Sequence, residues 1–97
     1  MRTIKELLQY RKKVYIVLPT KAMQYRVMSD ADREGSVFGN GVEATERMAS
    51  DIMALLPDGH ICFVGWVGRL SFKQGGDSVV RVDYEKFIDG KDIYTLP

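Results

Sequence analysis

The chain predicts an α+β fold: a mostly antiparallel sheet of four to six strands with two helices packed on one face. Three observations carry that expectation. Val14-Tyr15-Ile16-Val17-Leu18 is a β-branched and aromatic run closed by Pro19. Residues 21–34 repeat apolar side chains every four positions, as one face of a helix does. Ser78-Val79-Val80-Arg81-Val82-Asp83-Tyr84 alternates apolar and polar residues, as a half-buried strand does. At 97 residues the chain is long enough for a single domain, 1–97, around one modest core.

The elements follow in order. Thr3-Ile4-Lys5-Glu6 fits a capping box, and Ile4, Leu7, Leu8 and Arg11 then recur at helical spacing, so residues 4–12 read as a short amphipathic helix. Arg11, Lys12 and Lys13 stand at its C-terminal end, where cations suit the helix dipole. A phosphate or an acidic partner is the competing use for that triplet. The run 14–18 is too continuously apolar for an exposed strand and belongs inside a sheet. Thr20 caps the next helix, 21–34, and Gly35 ends it in the left-handed conformation. Met23, Val27 and Ala31 form that helix's core face, which Tyr25 and Met28 widen.

Ser36-Val37-Phe38 reads as a short strand and Gly39-Asn40-Gly41 as a turn, since Gly and Asn tolerate positive φ. A phosphate-binding loop would need a Lys-Ser/Thr pair after its glycines and a preceding strand, and neither is there. Residues 42–50 are polar, with Glu43 and Arg47 spaced to pair on a helical turn. Across 51–64, Pro57-Asp58-Gly59 between two apolar runs reads as a hairpin, with a helix over 47–56 as the rival. Residues 65–72 continue or restart a strand whose two glycines suggest a bulge. Residues 73–77 are a second turn, Phe87-Ile88 a single turn, and 92–97 a short tail or an edge strand.

Fourteen Lys and Arg against thirteen Asp and Glu leave a formal net charge of +1, which argues against a dedicated nucleic-acid binder. Cys62 is the only cysteine, so one chain can form neither a disulfide nor a cysteine-based zinc site. The N-terminus is charged and lacks a signal-peptide core, and the longest apolar run, 61–68, falls far short of a bilayer span. These features point to a soluble, cytoplasmic protein with no membrane role.

Catalytic chemistry needs convergent reactive groups, and few are available. His60 and Cys62 sit two apart in one presumed strand, so a Cys–His pair is conceivable, although each has an ordinary structural or surface role. No metal or cofactor site is expected. Asp30, Asp32 and Glu34 crowd the C-terminal half of the second helix, where the dipole disfavours negative charge by about 0.3–1 kcal/mol each. Asp30 and Glu34 share a face; Asp32 points away by about 160–200°. Arg26 and Arg33 can offset Asp30, and a basic partner would account for the remaining charge. Trp66, between glycines, is either core or, with Arg69, an interface anchor.

Residues 14–70 also resemble a module of small proteins from phages and integrative elements of Firmicutes. The matching positions are Arg33-Glu34-Gly35, Val37-Phe38 and Gly39-Asn40-Gly41. The resemblance implies a setting in which accessory proteins bind host machinery and often inhibit defence systems. It carries over no catalytic residues.

Two readings follow. In the first the chain is a non-enzymatic protein-binding module, an inhibitor of a bacterial defence nuclease of the CRISPR-effector kind. Asp30, Asp32 and Glu34, with Trp66 and Arg69, would meet a host or defence-system protein in its basic groove. In the second an oligomer sequesters a nucleotide signal, with Trp66 or Phe38 stacking on the base and Gly39, Asn40, Gly41, Arg47 and Arg69 holding phosphate. Homo-oligomerisation stays open. An enzyme ranks third.

Overall fold

The computed structural model describes residues 2–35, 51–64, 70, 72–74 and 79–96. Along the chain come a 3-10 helix (Ile4–Tyr10), β1 (Lys13–Val17), α1 (Lys21–Arg33), β2 (Ile52–Leu55), β3 (Ile61–Phe63), β4 (Val79–Asp83) and α2 (Tyr84–Ile88). The strands form one sheet in the order β3-β2-β1-β4. The architecture is α+β, as expected, with β1 in the interior of the sheet.

The sheet is mixed, with two of its three strand pairings among the described residues antiparallel as expected. β2 pairs antiparallel with both β1 and β3, while β4 runs parallel to β1 with Val14 beside Val80 and Ile16 beside Val82. β4 carries its alternation into this register. Val80 and Val82 pack with the helices, and Arg81 falls on the opposite face beside Tyr15. The last residues lie along the free edge of β4, where Asp83 N–H donates to the Tyr94 carbonyl and Leu96 N–H to that of Arg81. The tail therefore makes a single bridge, Val82 with Thr95, and shields part of an edge.

Both sheet faces are covered. On one, Val14, Ile16, Met53, Leu55, Ile61 and Val82 meet Ile4 and Leu7 of the 3-10 helix, Val27, Met28 and Ala31 of α1, and Tyr84 and Phe87 of α2. Each large apolar side chain buried there contributes about 1.5–3 kcal/mol. On the other face Tyr15, Ile52 and Ala54 pack with Cys62, Val64, Phe72 and Val79. The Tyr15 ring meets Phe72 edge-on at 5.6 Å.

Local signals set the boundaries. The Thr20 hydroxyl accepts from Met23 N–H at 3.2 Å, and Gly35 takes a φ of +77° just past α1. At the hairpin, Gly59 sits at φ +94° while Leu56 N–H donates to the His60 carbonyl. Residues 52–55 are thus strand, which removes the helical alternative there.

Several expectations change. The N-terminal helix is 3-10, closed by Glu6 N–H to Thr3 and Arg11 N–H to Leu8, with Arg11 at φ 55°. Seven residues is long for this geometry, and side chains from elsewhere hold its ends. Glu34 caps its start. At the other end the Tyr10 hydroxyl meets that of Tyr94 at 2.6 Å. Burial, and then this contact, push the Tyr10 hydroxyl up to about 12. Tyr25 does not widen the core stripe: it is 62% exposed, being two positions, roughly 200°, from both Met23 and Val27. Residues 70 and 72–74 are helical rather than strand and turn. Residues 36–50 and 65–69, including the expected strand and turn at 36–41, lie outside the described residues.

Candidate functional site

The acids at the end of α1 were expected to act together, and the structure separates them. Asp30 is buried, its side chain 4% exposed, at the centre of a donor cluster. Arg26 Nε donates to both carboxylate oxygens at 3.1 Å, and Arg33 Nη2 donates to Oδ1 at 2.7 Å. From α2 the Tyr84 hydroxyl donates to Oδ2 at 2.5 Å. Burial, followed by the hydrogen bond to Asp30 and the carboxylate charge, drives the Tyr84 hydroxyl far above the ordinary tyrosine range. Asp30 is a structural tie between α1 and α2 and is withdrawn from any acidic surface. This corrects the three-acid face.

Glu34 has a different task. Its Oε2 accepts from Ile4 N–H at 2.9 Å and its Oε1 from Lys5 N–H at 3.1 Å. One carboxylate thus satisfies two orphan amides at the start of the 3-10 helix, where negative charge is favoured. Asp32 remains exposed on the outward side of α1. Tyr25 and Ser29, seven and three residues earlier, are exposed on that same stripe.

Beside Glu34 opens a cleft of about 310 Å³, between the 3-10 helix, the end of α1 and the hairpin turn. Ile4, Leu8 and Leu55 give it an aliphatic wall. Lys5, Glu34, Asp58 and His60 supply its polar rim. Asp58 folds back on the turn: Oδ1 accepts from His60 N–H at 3.0 Å, and Oδ2 lies 2.9 Å from His60 Nδ1. The backbone bond from His60, followed by the side-chain bond, holds the Asp58 carboxyl below its ordinary value. Asp58 and Lys5 are site residues that sequence reasoning missed. The Asp-x-His spacing within the turn was the available signal.

His60 and Cys62 do not form a dyad. His60 lines the cleft with Ile4 and Leu55, on the helix-covered side, whereas Cys62 packs with the cluster on the opposite sheet face. His60 precedes β3, so the same-face alignment of a regular strand does not extend to it. Among the described residues no group of three His, Cys, Asp or Glu side chains is placed to hold a metal ion. No described helix is long and apolar enough to cross a membrane. Trp66 and Arg69, and the nucleotide-site candidates Phe38, Gly39, Asn40, Gly41 and Arg47, lie outside the described residues.

No protein-family model, curated protein or solved structure matches the chain.

Proposed function

We propose that the chain is a small non-enzymatic binding protein that meets a basic protein surface with the outward side and C-terminal end of α1. One observation carries the reading: Tyr25, 62% exposed, and Asp32 stand on a single outward stripe with only Ser29 between them. A large aromatic with two rotatable torsions is a strong interface anchor, and a neighbouring free carboxylate selects for cationic partners. The separation of His60 from Cys62 supports binding over bond-making chemistry.

The setting implied by the phage-protein resemblance makes the partner a host or defence-system protein whose basic groove holds nucleic acid. Inhibition by occupying that groove fits a chain that presents carboxylates at one helix end. The contact surface differs from the sequence expectation: Tyr25 and Asp32 lead, Glu34 flanks, and Asp30 takes no part.

Capture from a lysate of the encoding organism's host, followed by titration calorimetry on the identified partner, tests the reading. Tyr25→Ala and Asp32→Lys are each expected to weaken binding by about tenfold or more. A partner held with unchanged affinity by both variants would end it.

A further inference from the structure

The cleft beside Glu34 is a second recognition element, and it deepens the binding reading on which it rests. We propose that it receives one cationic side chain, arginine or lysine, from the partner protein.

Size and lining both select the occupant. At about 310 Å³ the cleft lies at the lower limit of small-molecule pockets, suited to one side chain rather than a nucleotide. Ile4, Leu8 and Leu55 offer an aliphatic wall for a methylene stem. At the rim each Glu34 oxygen accepts, among the described residues, a single backbone N–H, which leaves each a lone pair for a further donor. Asp58, exposed across the cleft, keeps acceptor capacity beyond its two bonds to His60.

Among the described residues the charges facing the cleft are Glu34 and Asp58 against Lys5, with His60 adding a positive charge only when protonated. With His60 neutral the rim carries a net negative charge. Lys5 is exposed and can extend into solvent, so it does not close the entrance. An anionic ligand would face two carboxylates. A metal ion lacks a third ligand among the described residues. A guanidinium or ammonium group on an aliphatic stem satisfies both wall and rim.

The probes are the methylamides of N-acetyl-arginine, N-acetyl-lysine and N-acetyl-norleucine, together with inorganic phosphate, each titrated into the isotope-labelled chain. The arginine and lysine probes are expected to produce saturable amide shifts at Lys5, Gly35, Gly59 and His60, with dissociation constants of roughly millimolar order. Norleucine and phosphate should produce none. Asp58→Asn keeps the acceptor for His60 N–H and should weaken the arginine probe by about three- to tenfold. Equal binding of norleucine, binding of phosphate, no saturation with either cation, or an unaffected Asp58→Asn variant would each overturn the proposal. The two readings fail separately. A cleft that ignores the probes, in a chain whose Tyr25 and Asp32 variants still lose their partner, rejects the pocket alone. A responsive cleft with unaffected variants rejects the α1 surface alone.

Discussion

Asp30 and Asp58 are both aspartates engaged by nitrogen donors, in opposite surroundings. The Asp30 side chain is 4% exposed and takes bonds from two arginines and a tyrosine of another helix; that of Asp58 is 61% exposed and, among the described residues, bonds within its own turn. Burial makes the first charge depend on every donor around it, since a buried carboxylate without partners is strongly disfavoured. The second shapes a turn and keeps capacity for an outside ligand. Residue type therefore says little about whether an acid joins elements or receives partners. The number of elements that supply its donors says much more.

Removing the carboxylate from each region tests the contrast most severely. Asp30→Ala should lower stability by about 2–4 kcal/mol in urea denaturation, because the Tyr84 hydroxyl is left buried without its acceptor. Arg26 and Arg33, whose side chains are 38% and 56% exposed, can turn to water and hold the loss to that range. Asp58→Ala should move the urea midpoint far less, because its bonds are exposed and lie within the turn. Equal losses in the two variants would dissolve the distinction.

A smaller effect sharpens it from the donor side. Tyr84→Phe should cost about 1–3 kcal/mol, the range for a hydrogen bond to a buried charge. The same hydroxyl sets a pH dependence. Its folded-state pKa lies above the unfolded value of 10.0, so its contribution is complete below pH 10 and falls as pH rises beyond it. The fall approaches about 1.4 kcal/mol per pH unit for one retained proton. Tyr10, raised to about 12, acts with the same sign between pH 10 and 12. Tyr84→Phe should flatten the alkaline decline measured by denaturation at pH 9 to 11; an unchanged slope would show that Tyr84 ionises alike in both states.

The smallest expected contrast lies within α1. Glu34→Ala should lose about 1 kcal/mol through two uncapped amides, against less than about 0.5 kcal/mol for Asp32→Ala. Thermal melts of the two variants would separate them.

What could be read beforehand follows from how far each signal reaches along the chain. Thr20 and Gly35 bracket α1 through contacts within three residues, and Pro57-Asp58-Gly59 turns the hairpin through its own backbone, so both were legible. The alternation at residues 79–83 showed a strand but not its neighbour, because parallel pairing with β1 leaves no local mark. Asp30 and Glu34 looked alike on a helical wheel. Their roles come from Tyr84, far along the chain, and from the amides of Ile4 and Lys5, which face Glu34 only once the 3-10 helix docks. Tyr25 shows that an apolar stripe can be wider than the surface it buries.

The alignment of β4 beside β1 has a consequence for synthesis. Lys13 through Val17 can acquire their Val79–Asp83 neighbours only after residues 79–83 have left the ribosome. Until then β1 keeps one flank of unpaired amides and carbonyls, and the helix-side core lacks Val82, Tyr84 and Phe87. A nascent chain stalled before residue 79 would therefore display a sticky strand to the cell, with consolidation arriving late and all at once.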